Sequence, residues 1–235
     1  PNLMIKIPAT PAGIIAIPRV VAAGLSVNAT LIFNSRHYHQ VAEAWFTGLE
    51  LLLEQGKSLQ GLASVASFFV SRLDTKLDPL LASRGFPQLQ GKMALANAAA
   101  TYELYLALHN SPRWLRLAEK GARMQRLLWA STGTKDPRYS DTLYVDDLIG
   151  AGTVNTAPPA TLQAWLDHGR TAAALPAHPA VTAAALSALA EMGISLDAVT
   201  EELQKEGVAS FARSFASMLA SVSEKQKRVR PSLPS

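Results

Sequence analysis

The chain has 235 residues, 49% of them hydrophobic and 17% charged, with a formal net charge of +4 and a pI near 9.4. That balance excludes a disordered chain and gives enough length for one large domain or two small ones. There is no cysteine, which excludes disulfides, thiolate catalysis and cysteine-held zinc or iron–sulfur sites.

The chain opens on Asn2-Leu3-Met4-Ile5-Lys6-Ile7-Pro8-Ala9-Thr10, in which residues 3–7 read as a strand. A strand alternates faces, so Lys6 points with Met4 and Pro8 while Ile5 and Ile7 point the other way. Strand lysines most often sit on edges or solvated faces. Here Thr10-Pro11 follows, an N-cap with proline at the first helical position, and predicts a helix over 10–23 ended by Gly24. Lys6 is then expected at the C-terminal end of a strand that feeds a helix, the end that carries the chemistry in α/β barrels. A desolvated lysine at such a place is more often the free amine, which attacks carbonyls to form a Schiff base. Position 1 is proline and a strand begins almost at once, so the sequence is expected to be the C-terminal part of a longer polypeptide.

Residues 26–33 predict the second strand, and Asn34 and Ser35 cap a helix over about 37–55 that Gly56 closes. A third strand is expected over 62–70, a short helix over 74–83, a Gly/Pro loop over 86–91, and helices over 92–109 and 112–120. A fourth strand over 126–130 runs into the turn-rich segment 131–137, followed by a short helix over 144–149, a short fifth strand over 153–156 and a helix over 159–168. Regular strand–helix alternation implies parallel strands with crossover helices. Beyond 169 the strand signal stops. Helices are expected over 178–192, 197–206 and 208–227, the last ending in the basic run Lys225-Gln226-Lys227-Arg228-Val229-Arg230 and a disordered Pro/Ser tail. The chain therefore divides into 1–169, parallel strands with crossover helices, and 170–235, C-terminal helices packing on them. The most apolar windows, 13–24 and 171–190, hold Pro18, Arg19, Pro176 and His178 and do not read as membrane spans, so a cytoplasmic protein is the default.

Several strands carry polar groups on one face near their C-termini. Asn28 and Thr30 share a face of the second strand, Ser67 and Phe69 of the third, and Trp129 and Ser131 of the fourth. Asn28 and Thr30 either satisfy each other or nearby backbone, or order a water or substrate hydroxyl beside Lys6. Two loops place a cation just after a strand: Ser67-Phe68-Phe69-Val70-Ser71-Arg72 and Ala130-Ser131-Thr132-Gly133-Thr134-Lys135. Hydroxyls, backbone N–H groups, a glycine and a cation are what a phosphate needs. The plain alternative is a solvated arginine and lysine paired with neighbouring Asp74 and Asp136.

These segments, together with Val27-Asn28-Ala29-Thr30-Leu31-Ile32-Phe33, Trp129 through Lys135 and Thr153-Val154-Asn155-Thr156, resemble transaldolases, in a form similar to the larger bacterial subfamily. The resemblance covers nearly the whole chain. It implies a (β/α)8 TIM barrel of the class I aldolase type, of which this chain supplies about the last five strands. It implies Lys6 as the Schiff-base lysine and Asn28 and Thr30 as the pair that orients substrate and catalytic water. Ser67, Arg72 and Ser131 would bind substrate, Phe69 would line the site and exclude water, and Lys135 would stand where relatives keep a basic phosphate ligand. The family's acid/base aspartate, a water-activating glutamate and a substrate-binding asparagine lie on strands before the lysine strand, none of which is in this sequence.

The function this implies is the pentose phosphate pathway transferase step. A dihydroxyacetone unit passes from sedoheptulose 7-phosphate or fructose 6-phosphate to glyceraldehyde 3-phosphate or erythrose 4-phosphate. No metal or organic cofactor is called for, because the lysine imine supplies the electron sink. The partners are sugar phosphates, not nucleic acid or membrane, with the remaining barrel strands supplied by residues absent from this numbering or by a neighbouring chain. One alternative is a fructose-6-phosphate aldolase-type lyase with the same lysine. The other is a non-catalytic phosphate- or RNA-binding fragment using the basic tail, which lacks the interleaved aromatics such binding uses.

Overall fold

The computed structural model describes residues 2–229. Five strands, β1 (Ile5–Pro8), β2 (Val27–Ile32), β3 (Ser64–Phe69), β4 (Arg126–Ala130) and β5 (Thr153–Asn155), form one parallel sheet in the order β1-β2-β3-β4-β5. Strictly sequential order with every neighbour parallel means that each connection crosses over in the same sense, as in a winding barrel. Among the described residues β1 does not pair with β5, so both are edges and the sheet is open.

The helices between strands are α1 (Pro11–Ala22), α2 (Ser35–Glu54), α3 (Ser71–Ser83), α4 (Met93–His109), α5 (Pro112–Glu119) and α6 (Leu143–Asp146), and α7 (Pro159–His168), α8 (Pro179–Glu191) and α9 (Leu196–Val229) follow β5. The caps match their chemistry. Thr10 Oγ1 accepts from Gly13 N at 3.2 Å, Asn34 Oδ1 from His37 N at 2.8 Å and Ser111 Oγ from Trp114 N at 3.3 Å. α1 and α2 approach closely because Gly48 lies against Val21; a Cβ there would sit 2.5 Å from the Val21 Cβ. The helix-facing side of the sheet carries Ile7, Val27, Ala29, Ala66, Phe68, Leu127 and Trp129, all buried. This is one contiguous apolar core between sheet and helices.

Three expectations change. First, residues 196–229 form one helix where two were expected. Gly207 does not end it. It is buried against Leu31, and a Cβ there would lie 2.7 Å from Leu31 Cδ2, so it serves close approach rather than termination. The basic run is helical as far as Val229, and Arg230 and the Pro/Ser tail lie outside the described residues. Second, α3 begins at Ser71 rather than Asp74, which places Arg72 in its first turn. Third, Trp129 and Ser131 do not share a face. Trp129 pairs with Phe68 on the helix side, while Ser131 has φ +58° and breaks the alternation.

No single helix among the described residues is long and apolar enough to cross a membrane; α8 and α9 together would pass by length and composition, but they meet at a bend of 88°.

Candidate active site

The strand register assembles the site. Lys6 is the partner of Asn28 and Pro8 of Thr30, and register partners in a parallel sheet present side chains to the same face. Ser67 and Phe69 alternate onto that face from β3. This is the sheet surface turned away from the crossover helices. Ser67 Oγ donates to Asn28 Oδ1 at 2.7 Å, which fixes the amide and leaves its N–H groups without a partner among the described residues. Thr30 is buried, and its Oγ1 has no hydrogen-bond partner there. Asn28 and Thr30 thus do not satisfy each other. A buried hydroxyl left unpaired costs about 1–3 kcal/mol, so its retention points to a use.

Lys6 itself is exposed, where the sequence implied a desolvated amine. The reason is topological: β1 is an edge strand, with no strand paired on its outer side among the described residues. The aromatic contact it does make comes from α9, where its Nζ lies over the Phe211 ring, 5.7 Å from the centroid.

The C-terminal ends of β3 and β4 are zipped together. Val70 N donates to Ala130 O at 2.9 Å and Ser71 N to Ser131 O at 3.0 Å, and the Ser71 and Ser131 hydroxyls lie 3.0 Å apart. Arg72 follows, half-buried, with its guanidinium over the Phe69 ring 4.8 Å from the centroid. Burial lowers its pKa from the ordinary arginine value. It does not pair with Asp74, since residues two apart on a helix point to different sides. Lys135 is exposed, and Asp136 pairs instead with Arg138 at 2.6 Å, which holds its carboxyl below the usual carboxylate range. Arg72 and Lys135 are thus cations without a carboxylate in ion-pair contact among the described residues, beside a serine pair.

The loop that carries Lys135 is held from both sides. Thr132 Oγ1 donates to Asn155 Oδ1 at 2.8 Å, and Asn155 Nδ2 donates to Tyr144 O at 3.1 Å. On the far side, two aspartates one turn apart on α3 act as struts. Asp74 accepts from Ala94 N at 2.8 Å and the Tyr144 hydroxyl at 2.7 Å. Asp78 accepts from Gly91 N at 3.1 Å and the Tyr139 hydroxyl at 2.7 Å. Burial pushes Asp74 up to about 6, against the lowering effect of the Tyr144 hydroxyl and Ala94 N–H. Burial and the Asp74 charge raise the Tyr144 phenol further. A cleft of about 390 Å³ between α3 and this loop takes in Ser71, Asp74, Lys135 and Tyr139 but neither Lys6 nor Arg72, so it is separate from the face that carries Lys6.

Of the residues singled out in the sequence, Lys6, Asn28, Thr30, Ser67 and Phe69 come together on one face. Arg72 and Ser131 gather at its C-terminal rim, and Lys135 stands farther along the same loop. Sequence reasoning passed over Phe211, Gln204, Ser71 and Asn155. Gln204 and Phe211 carry a signal in hindsight: with Gly207 they repeat at helical spacing on one face of α9.

The chain is similar to known proteins over nearly its whole length. The family model described as Transaldolase/Fructose-6-phosphate aldolase matches residues 1–222. A protein named Transaldolase from Acidothermus cellulolyticus is 50% identical over 98% of this chain and 63% of its own length. Transaldolase 2 from Streptomyces avermitilis is 46% identical over 99% of this chain and 63% of its own length. A transaldolase from Thermobifida fusca is 48% identical over 95% and 62%. The chain thus spans a little under two thirds of the length of the relatives it matches.

Proposed function

The chain belongs to the transaldolase/fructose-6-phosphate aldolase family, and we propose that it carries the Schiff-base half of a transaldolase active site. The observation that carries this is the shared face of Lys6, Asn28, Thr30 and Ser67, with Arg72 at its rim and Lys135 farther along the next loop, neither in ion-pair contact with a carboxylate among the described residues. Lys6 Nζ adds to the ketone of a ketose phosphate and forms an imine after loss of water. When the adjacent C–C bond breaks, its electron pair enters the imine, the aldose phosphate leaves, and a dihydroxyacetone enamine stays on Lys6. That enamine attacks an acceptor aldose phosphate, and water then releases the product. Asn28, held by Ser67, orients a substrate hydroxyl. Thr30, whose hydroxyl has no partner among the described residues, orients the water that leaves and returns. Arg72, Lys135, Ser71 and Ser131 receive the phosphate, with charge-assisted hydrogen bonds as the main attraction. Phe69 walls the site and stacks on Arg72, keeping the guanidinium aimed.

On this reading residues 1–169 are barrel and 170–235 are a helical cap, and the barrel closes with about three more strands, the complement of an eight-stranded barrel. They come from residues outside this numbering or from a neighbouring chain, and they bring the acid/base carboxylates. Two features support closure. Among the described residues β1 and β5 are open edges, and α9 carries the exposed apolar residues Phe211, Phe215, Met218 and Val222, the first of them over Lys6 of β1. Open edges and apolar stripes of this kind are normally covered. Sugar phosphates are confined to the cell by their charge, which supports the reading of a cytoplasmic protein.

The test is product analysis of the full natural polypeptide with fructose 6-phosphate, with and without erythrose 4-phosphate. Transfer that depends on the acceptor and is lost in Lys6→Ala supports the proposal. Release of free dihydroxyacetone at the same rate without acceptor would make the protein a lyase.

A further inference from the structure

The position of Phe211 is set by a part of α9 that is firmly fastened. Gln204, Gly207 and Phe211 follow at spacings of three and four and so share one face of the helix. Gln204 Nε2 donates to Ala9 O at 2.9 Å and Leu31 O at 3.0 Å, tying the helix to the C-terminal ends of β1 and β2. Gly207 lets the helix settle onto Leu31, which sits at φ +58° where β2 loses its regular register with β3. Lys76 pairs with Glu202 at 2.8 Å and Glu206 at 2.6 Å, and Asn34 Nδ2 donates to Thr200 Oγ1 at 2.8 Å. The next residue on the fastened face is Phe211, and its ring is presented to Lys6 Nζ.

We propose that Phe211 is a catalytic residue of the Lys6 centre, the π face of its ring stabilising the cationic iminium on Nζ over the neutral carbinolamine that precedes it. This rests on the Schiff-base reading above. Nζ adds to the ketone carbon and gives a carbinolamine. A proton taken up by its hydroxyl lets water leave with the C–O electron pair, while the nitrogen lone pair forms the C=N bond. One proton is gained, one water is lost, and a positive charge appears on nitrogen. A ring face within about 6 Å of a cation attracts it through its quadrupole, and a neutral amine gains little from the same ring. The ring therefore favours the charged sink until the C–C bonding pair enters it and discharges the nitrogen. Bulk alone does not do this, so leucine and tyrosine at position 211 separate packing from π character.

The experiment uses the full natural polypeptide at saturating fructose 6-phosphate and measures the initial rate of cyanoborohydride trapping on the peptide that contains Lys6. That rate follows the iminium population. Phe211→Leu and Phe211→Ala should lower it about two- to fivefold, the factor an exposed cation–π contact is worth. Phe211→Tyr should keep it, and the Leu and Tyr variants should melt with the parent. Trapping in Phe211→Leu equal to the parent, or a fall in Phe211→Tyr equal to that in Phe211→Leu, overturns the inference and leaves the Schiff-base reading standing. No Lys6 adduct in the parent protein overturns both.

Discussion

Asp74→Asn isolates the electrostatic cost of the strut that Asp74 forms between α3, the start of α4 and Tyr144. Asp74 is buried and its carboxyl is pushed up to about 6, with burial as the largest cause and Asp78 adding to it, while Tyr144 OH and the Ala94 and Met93 N–H groups act the other way. The folded pKa exceeds the unfolded one, so the folded state binds more protons between about pH 4 and 6. The contribution of Asp74 to stability is then greatest below the unfolded pKa and declines as pH rises through the folded pKa. The rise from 3.8 to about 6, at about 1.36 kcal/mol per unit, sets a scale of about 3 kcal/mol. Asparagine has no such titration but can still accept from Ala94 N. Denaturant midpoints of parent and Asp74→Asn from pH 4 to pH 7.5 give the comparison, and the variant should gain on the parent by up to that amount across the interval. A difference that stays flat, or a parent that gains on the variant as pH rises, would show that the two hydrogen bonds outweigh burial and hold Asp74 ionised.

Arg72→Ala should raise the KM for phosphorylated substrates about 10- to 100-fold, the loss of a charged hydrogen bond of about 1.5–3 kcal/mol, and should affect free dihydroxyacetone as donor far less; equal losses with both would make Arg72 structural. Thr30→Val replaces a buried hydroxyl that has no partner among the described residues with a methyl of the same shape. Turnover should fall while the unfolding free energy stays level or rises, and a stability loss above about 1 kcal/mol would mean the hydroxyl is bonded. Gly48→Ala gains about 1 kcal/mol of helix propensity but drives a Cβ to 2.5 Å from Val21 and 3.1 Å from the Pro18 Cα. Overpacking of about 1–3 kcal/mol should win, and a higher melting temperature would refute the fixed α1–α2 approach.

What could be read from the sequence was what depends on neighbours along the chain. Thr10-Pro11 specifies a helix start through one side-chain acceptor and one fixed φ, and both are seen. The four longer strands follow from apolar runs between turn residues, and their parallel order from the helices between them. What could not be read depends on distant partners. Gly207 has the same local signature whether it ends a helix or admits Leu31, and only the packing decides. The doubt over Arg72 and Asp74 disappears once α3 is known to start at Ser71, because helical geometry then turns the two side chains apart. The exposure of Lys6 and the ring over its nitrogen come from an edge strand and a helix some two hundred residues away, beyond the reach of any local pattern.

The central claim is that Lys6 is the nucleophile, and one measurement bears on it directly. The full natural polypeptide is incubated with fructose 6-phosphate, reduced with borohydride and digested, and the modified peptide is located by mass. A dihydroxyacetone adduct is expected on the peptide that carries Lys6, and none in Lys6→Ala. An adduct on another lysine, such as Lys92 or Lys135, or no adduct at all under turnover conditions, would contradict it.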